Sequence, residues 1–491
     1  MAKAKTKTSF WQRAKVAAQA FRGYSAVENK RYRGNRGNGP IRSEEIELSN
    51  FNRDRLVSAA LDFRRNNPVV ASISRLRKAD VIGRGIIPQA STGNNDLDAM
   101  IDAMWHEYSR EPEVTGMMDL REVQQQMVDA LLFYGDCGLI FTNQNAKIQL
   151  VDGSRIGNKQ GEATSSEASK VQNGVVVDET GKPVSYIVGN RVSGVLRDQV
   201  EVAAFNFIPF FRRMRPVQYR GVPELATIIN VLQDIDEYDN IEMISAKVAA
   251  SLSVAVTREN SSDWARGNLD EEGYEDEQGN FERFEPGRFH YMNPGESIQS
   301  ISSNGRPNVD GVKWVEYLLR KAGSAVGIPL EFLLMEIGGS SFSASQGVVL
   351  QYQQMVESYQ SDVIRAMDKW YRRWLLQQVT AGNITVPQTE GIDLFHVRWQ
   401  RPAFRWINRV AQVKADMEYY RMGAMSLDDI TAPFGYTAED VLIRKAQNIE
   451  QAKRIAGEHG LEDWRELINP YNTSLSGNIS EVITNDNATE D

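Results

Sequence analysis

The residue types that most often hold metals or act as nucleophiles are sparse in this chain. Its four histidines, His106, His290, His396 and His459, lie far apart, and Cys137 is its single cysteine. A zinc site needs several such ligands close together, and His106-Glu107 is not followed by the second histidine of HExxH. The sequence therefore predicts no His/Cys metal site, although a carboxylate-only Mg²⁺ site stays open. An intrachain disulfide is impossible, which is typical of assembly in a reducing compartment.

Motifs for nucleotide and acyl chemistry are also missing. A P-loop needs GxxxxGK[ST] to hold phosphates, but Gly181-Lys182 is followed by Pro183 in a predicted hairpin turn. GxSxG is absent as well. The run from Gly338 to Ser341 has the small residues of an anion nest, yet a flexible loop is the simpler interpretation. These patterns predict a protein that is not an enzyme and has no cofactor.

One strongly acidic segment could imitate a metal site. Residues 263–285 contain nine acids and two bases. The string LDEEGYEDEQGN does not fit the alternating ligands and central glycine of a calcium-binding EF-hand. A metal nuclease would place its carboxylates on rigid elements, whereas this run is turn-like. The pattern favours a solvated acidic lobe that faces a basic partner.

Charge is distributed unevenly over the 491 residues. Residues 1–42 carry eleven Lys/Arg and one acid, a net +10; because the whole chain is at −9, the remainder sums to −19. This basic arm is either a solvated flexible tail or an electrostatic docking segment for nucleic acid or an acidic surface. Residues 469–491 are acidic, and we expect them to be disordered.

Composition indicates a globular protein of about three folding units. Hydrophobic residues make up 41% and charged residues 25% of the chain. These fractions exclude a collagen or a mostly disordered chain. No run approaches the roughly 18 apolar residues of a membrane span, and the N-terminus lacks the apolar core of a signal peptide.

The elements alternate between helical and β-rich segments. Helices are predicted from about Ser43 to Tyr134, with strands at CGLIFTN, KIQLVD and VAAFNFIPFF and a hairpin at NGVVVDETGKPVSYIVG. Pro223 suits the first position of a helix that continues for about 30 residues. Further helices are predicted at 312–327, from Ala344 to Val379 and from Val410 to about Ile468, with a strand at LFHVRWQRP.

Two of these helices leave their packing partners open. Beyond Tyr238 the apolar positions drift around the first long helix, which fits either a core helix or a helix in a subunit ring. In the helix from Ala344, a seam repeats at alternating spacings of three and four. The seam is Val349, Tyr352, Val356, Tyr359, Val363, Ala366 and Trp370. It could pack on the chain's own core or on another subunit.

The order of motifs resembles the lambda-like family of phage portal proteins over roughly residues 45–465. The segments that carry the resemblance are RRNNPVVASISRLRKADVIGRGIIPQA, LLFYGDCGLIF with LVDGSRIG, NGVVVDETGKPVSYIV, QYRGVPELATIINVLQDIDEYDNIEMISAKVAA, AVGIPLEFLL and WQRPAFRWI with RMGAMSLDDITAPFGYTAEDV. The chain departs from the family at FRWINRV, where an Asp-Pro step is frequent. It departs again at Phe342–Ser345, where the family usually has the string Asn-Tyr-Ser-Ser-x-Arg. Gly347 or Val348 then stands at the position of the expected arginine.

The resemblance implies an α+β, mainly helical portal fold with wing, stem, clip and crown regions forming a ring subunit. The implied regions are a basic arm (1–42), the wing (43–220), stem helix one (221–251), an acidic clip (252–310), stem helix two (311–327), a tunnel loop (328–345), a long helix returning to the wing (346–404), a helical crown (405–468) and an acidic tail (469–491). The ring, commonly of twelve subunits, would occupy one capsid vertex of the virion after assembly in the host cytoplasm. Double-stranded DNA would be packaged and ejected through it.

The resemblance also implies site residues and partners. The tunnel loop would present Glu336, Gly338, Gly339, Ser340, Ser341, Phe342 and Ser343 to the DNA. The clip would contact the terminase large subunit and head-completion or adaptor proteins through Asp270, Glu271, Glu272, Glu275, Asp276 and Glu277. The stem would include Pro223, Asp234, Tyr238, Lys247, Trp314 and Lys321. Capsid and scaffold proteins are further implied partners, and a metal-dependent nuclease or motor subunit is the alternative function.

Overall fold

A computed structural model describes residues 47–142, 146–158, 171–250, 254–258, 296–300, 309–335, 342–387, 391–402, 409–431, 438–460 and 464. Within these ranges the α-helices are α1 (Asn50–Asn66), α2 (Pro68–Arg77), α3 (Asn95–Tyr108), α4 (Leu120–Phe133), α5 (Ile229–Ala250), α6 (Val309–Val326), α7 (Leu330–Leu333), α8 (Phe342–Thr380), α9 (Arg409–Arg421), α10 (Leu427–Thr431) and α11 (Ala438–His459). The mainly helical α+β class predicted from the sequence is confirmed at this level.

The strands of the described ranges are β1 (Ile87–Ala90), β2 (Asp136–Phe141), β3 (Ile148–Asp152), β4 (Val171–Gln172), β5 (Val175–Val177), β6 (Pro183–Val192), β7 (Val195–Ala203), β8 (Phe207–Phe211), β9 (Val254–Arg258), β10 (Glu296–Ser300) and β11 (Val397–Gln400). They form sheets in the orders β3-β2-β8 and β4-β5-β6-β7 and the antiparallel pairs β1-β11 and β9-β10. The pairing of β1 with β11 brings residues some 300 positions apart into one ladder.

Local signals explain where the first helices begin. The side chains of Ser49, Asn67, Asn94 and Asp119 each accept a hydrogen bond from a backbone N–H of the following helix. Asp119 and Glu122 form a reciprocal capping box, which satisfies two backbone donors that would otherwise lack partners. After α2 the chain continues as a π-helical turn (Lys78–Ile82) and leaves it at Gly83, whose φ is +49°.

One continuous core joins the helices to the β2 sheet. It contains the buried apolar faces of α2, α3 and α4, residues of β2, β3 and β8, and most of the seam of α8. The seam residues Tyr352, Val356, Tyr359, Val363, Ala366 and Trp370 all belong to this core. The alternative in which the seam packs on the chain's own core is therefore the one observed.

Several sequence predictions differ from the structure. Strand β1 lies inside the segment from Ser43 to Tyr134 that is predicted to be helical, and the strand predicted at LFHVRWQRP covers only Val397–Gln400. VAAFNFIPFF is not one strand, because a 3₁₀ turn (Ala204–Asn206) separates β7, which pairs with β6, from β8, which pairs with β2. Pro223 does not begin α5, since a 3₁₀ turn (Glu224–Thr227) intervenes. Phe342 and Ser343 were predicted to lie in a loop, but their backbone already belongs to α8.

Candidate functional site

The two predicted stem helices, α5 and α6, are buried at one end and exposed at the other. The end of α5 that begins at Ile229 and the end of α6 that finishes at Val326 insert into the main core. At their outer ends both helices expose large apolar side chains. These are Ile241 (54%), Met243 (54%) and Ile244 (61%) on α5 and Val312 (67%), Trp314 (52%) and Tyr317 (55%) on α6. Trp314 and Tyr317 stack on each other with ring centroids 5.6 Å apart.

A glycine allows the outer ends of α5 and α6 to approach closely. A Cβ atom added at Gly311 of α6 would collide with the hydroxyl of Tyr238 of α5. Gly311 is itself buried, whereas the residues that follow it, Val312 to Trp314, are exposed. The two helices therefore approach closely at Tyr238 and Gly311, while the six large apolar side chains stay exposed.

The inner ends of the pair are held by a network that we call the stem anchor: Arg77, Arg212, Glu224, Val326 and Tyr359. Arg77 pairs with the Glu224 carboxylate and donates to the carbonyl of Val326 at 2.8 Å. The Tyr359 hydroxyl donates to the same carboxylate, at 2.8 and 2.9 Å from its two oxygens. Arg77 and Arg212 lie 4.4 and 4.2 Å from the Tyr359 ring centroid.

The stem anchor joins five parts of the chain, one of which is Arg212, directly after β8. Arg77 ends α2, Glu224 lies in the turn before α5, Val326 ends α6 and Tyr359 lies in α8. Burial raises the pKa of Tyr359 to about 12, so its hydroxyl stays protonated and keeps donating to Glu224. A second link runs from Asn67, whose amide donates to Asp236 of α5 at 3.0 Å.

A second buried ionic cluster joins α1, the first residue of β2 and the segment that precedes the 3₁₀ turn before α5. Asp136 accepts from Arg220 Nε at 2.6 Å, from Arg53 Nη2 at 3.1 Å and from the Gly221 backbone at 3.0 Å. Burial alone would raise the pKa of Asp136, but the charges of Arg220 and Arg53 outweigh it and hold that pKa below its usual range. Arg220 also donates to the carbonyls of Ile156, Asn173 and Gly153.

Sequence reasoning missed this cluster and the stem anchor. Arg220, Gly221 and Glu224 were noted only as part of a motif that opens the long helix. A weak signal existed, since Tyr134-Gly135-Asp136 places an acid at the first position of an apolar strand, where it would be buried. Gly135 has a φ of +83°, and a Cβ there would lie 2.5 Å from the Val222 carbonyl carbon.

The predicted site residues fall into two groups. Glu336, Gly338, Gly339, Ser340 and Ser341 of the tunnel loop lie outside the described residues, as do Asp270, Glu271, Glu272, Glu275, Asp276 and Glu277 of the clip. The predicted stem residues are described. Asp234, Lys247, Trp314 and Lys321 are exposed, Tyr238 is half-buried against Gly311, and Pro223 is buried ahead of the 3₁₀ turn.

Helix α5, the first of the two predicted stem helices, is acidic. It carries Asp234, Asp236, Glu237, Asp239 and Glu242 against Lys247 alone, so five acids and one base give a net −4. Partial burial is the main cause that raises the pKa of Asp239, and the negative charge of Asp236 raises that pKa further. A surface of this sign repels DNA phosphates rather than binding them.

The described ranges also bear on metal binding and on membrane insertion. There, no group of three or more His, Cys, Asp or Glu side chains is placed to hold a metal ion. None of the helices in that part of the chain combines the length and apolarity needed to cross a bilayer.

Residues 33–360, more than half of the chain, match the family described as phage portal protein, lambda family. The probable portal protein of Halomonas phage phiHAP-1 is 22% identical over 321 residues, which cover 64% of this chain and 60% of that relative's length. Among solved structures, a chain from the virion of a native gene transfer agent particle is similar at TM-score 0.47 and 14% identity, covering 77% of this chain and 93% of that one.

A portal protein of the HK97 family from Corynebacterium diphtheriae is similar at TM-score 0.30 and 12% identity, over 60% of this chain and 84% of that one. The family match includes both predicted stem helices, the stem anchor and the buried Asp136 cluster. Portal proteins are structural proteins, in agreement with the prediction that the chain is not an enzyme. This chain belongs to the lambda family of phage portal proteins.

Proposed function

We propose that this chain is the subunit of a closed ring, commonly of twelve copies, at one vertex of a phage capsid, and that double-stranded DNA enters and leaves the virion through that ring. The observation that carries the proposal is the exposed apolar surface on the outer ends of α5 and α6. Six large apolar side chains there are between 52% and 67% exposed. Copies of the same helix pair, arranged around an axis, would cover these side chains.

The charge of the stem supports a conduit for DNA. A basic lining would bind phosphates by releasing counterions, and DNA would move slowly along it. The acidic surface of α5, at a net −4, avoids such binding. The acidic residues 270–277 would contact the terminase large subunit and later the head-completion proteins, while the basic arm would reach capsid, scaffold or DNA.

The ring is tested by changing one stem side chain. Native mass spectrometry and negative-stain class averages of the unaltered chain should give a ring of about twelve copies of 55.3 kDa with a central hole. Ile244→Asp should prevent ring formation, because it places a carboxylate in the interface between copies. Met117→Asp is the matched control, since Met117 is 83% exposed and lies outside the stem.

Two outcomes would contradict the proposal. One is a chain that stays monomeric both alone and with its scaffold and capsid proteins. The other is a ring that Ile244→Asp leaves intact. The alternative function, a metal-dependent nuclease or motor subunit, is tested separately by nuclease and ATPase assays on the purified protein. Activity that is lost on mutation of a carboxylate would favour that alternative.

A further inference from the structure

A cleft far along α8 combines an aromatic floor with cationic side chains. Its volume is about 390 Å³, and we call it the aromatic–cationic cleft. The lining residues are Phe141, Ala204, Phe205, Phe207, Ile208, Lys369, Arg372, Arg373, Leu376 and Phe395. This volume is within the range of roughly 300–1,000 Å³ that is typical of ligand pockets.

Large apolar side chains are exposed on two walls of the cleft. Phe205, in the turn between β7 and β8, is 72% exposed, and Leu376 of α8 is 45% exposed. Removal of exposed apolar surface from water favours association. An occupant with aliphatic side chains would therefore be stabilised on these two walls.

The cationic side chains of the cleft lie on one face of α8. Lys369, Arg372 and Arg373 are three and four residues apart, so they are neighbours on the helix surface. Arg372 pairs with Asp368 at 2.7 Å, and three cations against this one acid leave a net +2. Arg373 stacks 3.9 Å from the Phe205 ring centroid and donates to Asn206 at 3.3 Å. The occupant should therefore be acidic.

One segment of this chain has the complementary chemistry. Residues 477–491 (GNISEVITNDNATED) contain four acids and no base, and Ile479, Val482 and Ile483 are spaced three and four apart. The other acidic segment, 263–285, includes Arg266 and Arg283 and is less complementary. We propose that residues 477–491 dock in the aromatic–cationic cleft of their own chain, with Val482 and Ile483 against Phe205 and Leu376.

The path of the chain permits this docking. The C-terminal helices are tied to β11, because Arg398 pairs with Asp428 of α10 at 3.5 Å. Strand β11 begins two residues after Phe395 of the cleft. From residue 464 to residue 482 an extended chain can span up to about 60 Å. The proposal does not depend on ring formation, since cleft and segment belong to one chain.

Photocrosslinking in the full-length protein tests the proposal. Phe205 is replaced by benzoylphenylalanine, which its exposure should tolerate, and the crosslinked peptides are identified by mass spectrometry. We expect the dominant crosslink to reach residues 477–491. The same photoreactive residue at Met117, which is 83% exposed and does not line the cleft, should not crosslink to that segment.

Two double variants separate apolar from charged contributions. Val482→Ser with Ile483→Ser, and Lys369→Glu with Arg372→Glu, should each lower the crosslink yield by at least about fivefold, because docking needs both apolar contact and opposite charge. Arg365→Glu changes an exposed cation of the same helix outside the cleft and should leave the yield unchanged.

Three results would overturn the proposal. The dominant crosslink could reach another segment, or the yield could stay the same in both double variants. A mixture of isotope-labelled and unlabelled chains could also give crosslinks between the two species, which would assign the occupant to a second copy.

Discussion

At the scale of single residues, Asp136 stands out because it is a fully buried carboxylate between two buried arginines. The side chains of Arg53, Asp136 and Arg220 are each no more than 3% exposed. A buried ion pair contributes little against an apolar replacement of both partners, but removal of one partner leaves a buried charge uncompensated. The cluster is therefore a place where one substitution should have a large effect on stability.

We expect Asp136→Asn to lower the free energy of unfolding by about 3–5 kcal/mol, because two buried guanidinium groups lose their counterion. Chemical denaturation followed by circular dichroism measures this change. Asp62→Asn is the control, since the Asp62 side chain is 65% exposed, and it should change stability by less than about 0.5 kcal/mol. Equal effects of the two substitutions would contradict the structural role given to Asp136.

The same residue should make stability depend on pH. Its pKa in the folded chain is lowered, from about 3.9 in the unfolded chain. Its contribution is therefore complete above about pH 4 and is lost as the pH falls through the folded pKa. Denaturation curves between neutral and acidic pH should show the unaltered protein losing its advantage over Asp136→Asn below about pH 4. A difference that does not change with pH would contradict this assignment.

At the scale of elements, the contact between α5 and α6 depends on the missing side chain of Gly311. Gly311→Ala should destabilise the helix pair by about 1–3 kcal/mol, because the new methyl group collides with the Tyr238 hydroxyl. Adding Tyr238→Phe removes the atom that collides and should restore most of that loss. Thermal unfolding of the single and double variants measures both changes.

Gly347→Ala is the matched control for this experiment. A Cβ at Gly347 of α8 would meet nothing within 4 Å, so alanine should be stabilising by about 1 kcal/mol through helix propensity alone. If Gly311→Ala behaves like Gly347→Ala, the two helices are not in contact at Tyr238.

The stem anchor also acts at this scale, because it joins elements rather than neighbouring residues. Tyr359→Phe removes only the hydroxyl that donates to Glu224. The loss should be about 1.5–3 kcal/mol, the range for hydrogen bonds to charged groups. Hydrogen exchange should show faster opening at the inner ends of α5 and α6 than at α3, which contributes no residue to the anchor. Uniform acceleration over all three helices would argue against a local role.

At the scale of the whole molecule, the proposed function depends on a closed ring and on a tunnel loop that faces the DNA inside it. The tunnel-loop assignment predicts that removing Gly338–Ser341, which spares the first residues of α8, blocks DNA packaging while rings still form. A packaging assay with terminase and proheads, with ring formation checked by negative stain, measures both properties. Normal packaging by this variant would contradict the assignment. Deletion of residues 162–165, which belong neither to the loop nor to segment 477–491, is a control of equal length for ring formation and packaging.

The sequence by itself determined most of the helices and the order of motifs that suggested the family, because turn residues and apolar periodicity act over a few residues. Ser426 and Asp429, for example, have the spacing of a capping box, and both reciprocal hydrogen bonds are present. The hairpin after Asn173 and the long helix α8 are further examples. The order of these motifs along the chain was sufficient to suggest portal proteins.

Only the tertiary structure decided which distant residues meet. The Arg53–Asp136–Arg220 cluster spans sequence separations above 80 residues, and the stem anchor joins Arg77 to Val326 across 249 positions. The cleft likewise combines residues of β2, β8 and α8. No local pattern encodes such contacts, because burial and charge pairing arise only when separate elements pack together. For the same reason, the periodicity of the α8 seam did not identify what the seam packs against. The tertiary structure shows that the seam is buried in the chain's own core.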